Sequence, residues 1–333
     1  MFSLLGVNFN TNAAWPTPIE VIVVDDCGAA MRTGTVTTTF SNGDPPLQLV
    51  SQQDGRWSGT WAPRNARTPA LTVTATARQA PLEGTAEVGG NVQANPEVPI
   101  VNVNGVVSAA SFALTAVPSP GELVTIFGSR LANGFEEAGR LPLPSQLQGA
   151  VLSLAGRPLP LLYTTEGQVS AVIPYDIPQR TTHQLIARRG NRLSLPEPVT
   201  IAAGQPGIFT VAQNGRGQGI IYLYRTATEY YLADRDNPAR VGEVLVIYCT
   251  GLGPVDPPVL AGAAATSSRT VNEVTVTIGG RTATVAYSGL TAGFTGLYQV
   301  NTSVPEGVLP GDEAPVVLTV GGLSSPPVTM AVR

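Results

Sequence analysis

Few residues in this 333-residue chain have the chemistry of a catalyst. His183 is the single histidine, and it sits beside Thr181 and Thr182 at the start of a predicted strand. A serine hydrolase needs only one histidine, but it also needs a nucleophile held on a strained turn, and no Gly-x-Ser-x-Gly elbow occurs in the sequence. His183 therefore reads as a surface or edge residue, and no catalytic set is assigned. Asp234 and Asp236, with Asn237 between two predicted elements, bring oxygen ligands into one turn and form a weak Ca²⁺ candidate. The full calcium-loop spacing with its terminal glutamate is missing, so a solvated turn explains them as well. Asp25 and Asp26 end a strand in the same manner. Cys27 and Cys249 fall in different predicted domains; they read as two small buried hydrophobes or, more sharply, as a disulfide between two molecules. Two cysteines and one histidine at unrelated positions suggest no metal centre, and no cofactor is implied.

Aromatic residues are the better candidates for recognition. In a strand, Tyr222 and Tyr224 share one face while Ile221 and Leu223 share the other, and Tyr230 or Tyr231 can join the tyrosines from a facing strand. Such a row can stack on sugar rings or anchor a protein partner. Cross-strand packing pairs would give the same pattern. Phe294, Leu297 and Tyr298 lie in a segment that one half of the chain has and the other lacks, which marks either a functional loop or a lid over its own domain. Trp57 and Trp61 share a strand face and read as core.

Composition describes the scaffold that must hold these residues. Gly (36) and Pro (29) are abundant and only 13% of residues are charged. No stretch shows convincing helical periodicity, whereas alternating Val/Thr segments bounded by turn residues recur throughout. All 19 basic residues are arginine, so a lysine isopeptide crosslink is chemically impossible. A net charge of -4 without a basic run argues against nucleic-acid binding. No segment reaches the length of a transmembrane helix.

The scaffold repeats itself. Pro120-Gly-Glu-Leu-Val-Thr-Ile-Phe-Gly128 is echoed by Val241-Gly-Glu-Val-Leu-Val-Ile-Tyr-Cys249. Ala155-Gly156-Arg157 answers Gly279-Gly280-Arg281, Gln168-Val169 answers Gln299-Val300, and Pro174 answers Pro305. Each copy reads as a β-sandwich. Strands are expected at 122–127, 150–155, 159–163, 168–173, 183–189 and 198–202 in the first, and a hairpin of 219–224 with 229–233 opens the second. Residues 18–80 carry a further set of short alternating strands, with 88–104 read as an extended linker. The apolar start, with Phe2, Leu4, Val7 and Phe9, reads as a strand that completes its own sheet or a neighbouring subunit's, rather than as a signal peptide. The expected fold is all-β, three tandem immunoglobulin-like β-sandwiches over 1–100, 101–203 and 204–333.

Residues 104–333 resemble a known family. Asn104-Gly-Val-Val-Ser-Ala-Ala-Ser-Phe112, Gln205-Pro-Gly-Ile-Phe209, Tyr248-Cys-Thr-Gly-Leu-Gly-Pro254 and Gly293-Phe-Thr-Gly-Leu-Tyr-Gln-Val-Asn301 look like the uncharacterised C-terminal domain family of large secreted proteins of Solibacter and other acidobacteria. The resemblance implies a secreted setting and two halves of the TIG/IPT type, and it supplies no catalytic residues. Residues 18–80 resemble the Ig-like modules that often precede that domain.

Together these features point to a non-catalytic, extracellular or cell-surface protein with a structural, adhesive or filament-forming role, meeting a protein partner or itself. Phe2, Leu4, Val7, Phe9, Cys27 and Cys249 are its candidate assembly residues. The alternative is a carbohydrate-binding module using the tyrosine row of Tyr222, Tyr224, Tyr230 and Tyr231, with Phe294 and Tyr298 of the inserted loop as further binding candidates.

Overall fold

The computed structural model describes residues 1–66, 70–95, 98–114, 117–226 and 228–333. Every regular element among them is a β-strand. The chain divides into two compact units, Met1–Val98 and Pro99–Arg333.

In the first unit, seven strands follow one another in the spatial order Phe9–Asn12, Leu82–Gln93, Leu71–Gln79, Thr35–Phe40, Leu47–Ser51, Arg56–Trp61 and Thr17–Ile22. Leu47–Ser51 pairs through Leu47 and Leu49 with one neighbour and through Val50 and Ser51 with the other, so the sheet bends there into two facing halves. Trp57 and Trp61 point into the space between the halves, as their shared strand face predicts, and each is 4% exposed. The Trp61 ring stacks on Phe40 at 4.6 Å and meets Phe9 edge-on at 6.2 Å. Both indole N–H groups are satisfied, by Met31 O at 3.1 Å and by the buried Asp44 carboxylate at 3.0 Å.

The N-terminal segment departs from the sequence expectation. Its strand is Phe9–Asn12, running parallel to Leu82–Gln93 with Phe9 beside Gly90, while Phe2 makes only an isolated bridge to Val21. Leu4 and Val7 are exposed and Leu5 is buried. The chain start thus completes a sheet of its own unit. Residues 88–104, expected as a linker, instead hold the end of Leu82–Gln93 and the first half of Ile100–Ser108.

The second unit contains both repeats, each a two-sheet sandwich with its own core. In the first repeat, Leu123–Ser129 and Gln168–Val172 are central to one sheet, and Ala150–Leu154 and Thr181–Arg189 to the other. Val124, Ile126, Leu152, Leu161, Val169 and Leu185 fill the space between. In the second, Val244–Thr250 and Tyr298–Ser303 face Val274–Ile278 and Gly311–Val320 across Leu245, Ile247, Val276, Val300, Val316 and Leu318. The repeat is accurate to single hydrogen bonds. Ser194 Oγ accepts the Ala187 N–H at 2.9 Å, and Ser325 Oγ accepts the Leu318 N–H at 3.1 Å. The matching hairpin turns place Ala155 and Gly156 at φ 52° and 74°, and Gly279 and Gly280 at 56° and 77°, the paired left-handed conformation of a type I′ turn.

The two repeats are joined through their equivalent sheets. Leu123 N–H donates to Thr250 Oγ1 at 2.9 Å, and that hydroxyl donates to Gly296 O at 2.8 Å. Gly296 lies close to Leu123 and Val172, so that a Cβ there would sit 3.4 Å and 3.2 Å from them. The segment 290–298, which the first repeat lacks, therefore crosses to the outer face of the first repeat's sheet. This contact buries Val172, whose outward-facing neighbours Val107, Thr125 and Ser170 are buried as well, at 1%, 1% and 2% exposure.

Candidate functional site

The corresponding outer face of the second repeat is uncovered. Register alone assigns its residues. Tyr222 pairs with Val246 and Tyr224 with Val244; Val246 pairs in turn with Asn301 and Tyr248 with Gln299. The alternation of a half-buried strand sends Ile221, Leu223, Leu245, Ile247 and Val300 inward, all essentially unexposed, and these tyrosines and amides outward. Thr125 and Ser170 hold the places that Val246 and Asn301 take here.

The tyrosines form one connected ridge. Tyr230, opposite Tyr224 in the hairpin, stacks on it with centroids 5.3 Å apart and planes 24° apart. Tyr222 meets Tyr230 edge-on at 5.6 Å and Tyr248 edge-on at 6.0 Å. Desolvation, followed by the crowding of the Tyr224, Tyr222 and Tyr230 phenols, pushes Tyr248 up to about 12. Tyr248 is thus neutral across the physiological range. Tyr231 faces away from it and lies under the Arg225 guanidinium at 5.4 Å.

Two depressions flank Tyr248. One, of about 450 Å³, is lined by Tyr224, Arg225, Val244, Val246, Gln299 and Asn301. Its amides are mutually oriented, Gln299 Nε2 donating to Asn301 Oδ1 at 3.0 Å. The other, of about 280 Å³, is lined by Phe209, Ile220, Tyr222, Tyr248, Phe294 and Leu297. Arg225 pairs with Glu243 at 3.5 Å on the rim. Among the described residues lining the depressions, Arg225 is the one charged side chain.

Several expected site residues sit elsewhere or do other work. Tyr298 is wholly buried, in phase with Val300 and Thr302, and its hydroxyl donates to Gly253 O at 2.6 Å; it belongs to the core between the repeats and cannot meet a ligand. Cys249 is also wholly buried, and burial pushes its thiol far above the ordinary range. It cannot join two molecules, whereas Cys27 is exposed. Asp234 Oδ1 accepts the N–H groups of Asp236 and Asn237, both at 3.0 Å, so it closes its own turn. His183 Nε2 contacts Pro178 O at 2.8 Å at the sheet surface. The segment expected to be either a functional loop or a lid over its own domain is neither alone: Gly296 and Tyr298 pack toward the first repeat while Phe294, 55% exposed, walls the apolar depression. Tyr248, Phe209, Gln299 and Asn301 were not singled out from the sequence. The matching of Tyr248 to Phe127 and its outward phase with Val244 and Val246 are the signals that locate it.

No profile of a known family and no curated protein matches the chain. Solved structures match at low identity. SGBP-B of the Bacteroides ovatus mixed-linkage glucan utilization locus, solved in complex with a mixed-linkage heptasaccharide, is 11% identical, with 98% of this chain and 66% of that chain covered at a TM-score of 0.39. An I-band fragment of titin is 9% identical, with 100% and 98% covered at a TM-score of 0.20. The N-terminal eight Ig domains of the Down syndrome cell adhesion molecule are 11% identical, with 100% and 36% covered at 0.20. The chain spans just under two thirds of the first of these and about a third of the last. No helix among the described residues is long and apolar enough to cross a membrane.

Proposed function

We propose that this is a non-catalytic, extracellular or cell-surface binding protein that takes a neutral glycan on the open tyrosine face of its second repeat. The observation that carries the reading is the ridge of Tyr222, Tyr224, Tyr230 and Tyr248 beside the oriented amides of Gln299 and Asn301. Tyrosines offer large, rigid contact area at small entropic cost, and amides in the adjoining depression pair with hydroxyls. Among the described residues lining the two depressions, the one charged side chain, Arg225, is paired with Glu243, which favours a neutral ligand. The resemblance to the acidobacterial C-terminal family, and the secreted setting it implies, belongs to the same proposal. Affinity electrophoresis through neutral polysaccharides tests it. Retardation by one polymer should fall at least about tenfold in affinity in the Tyr222→Ala, Tyr248→Ala double variant, with Phe127→Ala, the equivalent position in the first repeat, unchanged. Absence of retardation in every neutral polymer defeats the reading.

Self-association keeps one supporting observation, the exposure of Cys27 together with Leu4, Val7 and Trp15 in the first unit. On this second reading an intermolecular disulfide yields a dimer on non-reducing gels that Cys27→Ser abolishes. A chain that stays monomeric under oxidation removes it.

A further inference from the structure

The two depressions beside Tyr248 differ in chemistry, and the difference specifies the ligand further. On the Val244 side a sugar meets Gln299, Asn301 and Arg225, which can satisfy its hydroxyls. On the Phe294 side the lining of Phe209, Ile220, Phe294 and Leu297 offers no polar side-chain atom, and the rings of Tyr222 and Tyr248 close it. A bare hydroxyl pressed into that side would lose water without gaining a partner. A methyl group entering the same place loses nothing and gains from leaving water. At about 280 Å³ the apolar depression lies at the small end of ligand pockets, with room for a substituent and the ring edge that bears it. Its wall is also held in place before any ligand arrives. Ala265 N–H donates to Phe294 O at 2.7 Å, Gly293 N–H to Ala265 O at 2.9 Å and Thr291 N–H to Leu297 O at 2.9 Å. Gly296 in the same segment is seated on the first repeat. The backbone that carries Phe294 is thereby fixed at the rim before a ligand arrives.

Resting on the glycan reading above, we infer that the ligand is a neutral oligosaccharide bearing a methyl-ended substituent, an O-acetyl or O-methyl group or a deoxy-sugar methyl, with its substituent against Phe294 and its hydroxyls against Gln299 and Asn301. Val244 and Tyr248 are four residues apart along one strand, roughly 13 Å, so the two depressions together call for a short oligosaccharide and not a monosaccharide.

The test uses the full chain with β-glucan, xylan and mannan oligosaccharides, each unsubstituted, chemically O-acetylated and O-methylated, in isothermal titration. The expected result is binding of a substituted member about fivefold or more tighter than its unsubstituted parent, in line with burial of one to two methyl-sized groups. Phe294→Ser should erase that preference, and Phe294→Leu should keep most of it. Asn301→Ala should weaken substituted and unsubstituted ligands alike. Unchanged melting of Phe294→Ser would show that the loss is local. Equal affinity for a parent and its substituted forms overturns this inference while leaving the glycan reading standing; no binding by any member of the set overturns both.

Discussion

The turn at Gly121 and Glu122 and the turn at Gly242 and Glu243 share their hydrogen bonds and differ in everything around them. Gly121 N–H donates to Ile173 O and Gly242 N–H to Val304 O, both at 2.9 Å. Glu122 Oε2 accepts the Ser119 N–H and Glu243 Oε2 the Arg240 N–H, both at 2.8 Å. Yet Glu122 is wholly buried with Oε1 unpartnered, whereas Glu243 sits on the surface with Arg225. The local motif is therefore a self-sufficient way to start a strand, and the energetic meaning of its carboxylate is set by the neighbouring repeat. In the first copy that neighbour arrives as Thr250, Gly296 and Tyr298; in the second, the same end of the sheet borders the tyrosine face.

This contrast can be broken at the glycines. Both have left-handed φ, 76° and 83°. A Cβ on Gly121 would run into the Tyr175 ring and the Tyr298 hydroxyl, whereas one on Gly242 would meet nothing within 4 Å. Gly242→Ala should cost about 1 kcal/mol, the strain of a left-handed alanine. Gly121→Ala should cost about 4 kcal/mol, because overpacking of the joint adds to that strain. Urea unfolding followed in parallel by second-derivative tyrosine absorbance and by tryptophan fluorescence separates the two units, since all nine tyrosines lie in the second and Trp15, Trp57 and Trp61 in the first. Equal costs for the two substitutions would refute the asymmetry.

The glutamates sharpen the contrast further. Desolvation raises Glu122 from 4.5 to about 7, with the donors of Ser119 and Ser108 pulling it back only in part. Of the titratable groups near it, the buried Tyr298 and Tyr175 phenols are themselves raised and stay neutral in this range. The folded state thus holds the proton more tightly than the unfolded chain. Its contribution to stability is greatest below about pH 4.5 and is lost as pH rises through about 7, a difference of ~3 kcal/mol for the second unit. Glu122→Gln should flatten that slope and raise stability at pH 8, while Glu243→Gln leaves the slope in place. A Glu122→Gln profile that parallels the parent's would place the dependence on other groups.

Much of this architecture was legible in the sequence because it is local. The echo of Pro120-Gly-Glu in Val241-Gly-Glu, the alternation around Tyr222 and Tyr224, and the shared face of Trp57 and Trp61 all follow from turn chemistry and period two. The facts that were not legible are tertiary. Thr125 and Ser170 have outward phase and small polar side chains, which reads as solvent exposure, yet both are buried, on the sheet where Gly296 of the second repeat sits beside Leu123 and Val172. Tyr298 looked like part of that loop, whereas its phase with Val300 and Thr302 makes it the first residue of a strand and places it inward. Phe9 pairs in parallel with a strand some 80 residues away, and no alternation in residues 2–9 could have disclosed that register.

The crossing segment also acts as a rule of growth. The second copy, which carries the segment, lays it on the sheet of the copy before it beside Leu123 and Val172 and leaves its own tyrosine face open. An array lengthened by this rule would gain covered sheets with every addition and keep one uncovered sheet, always on the newest copy. Length and exposed chemistry would then vary separately, since each addition would change how far the open face lies from the first copy without changing what kind of face is left open.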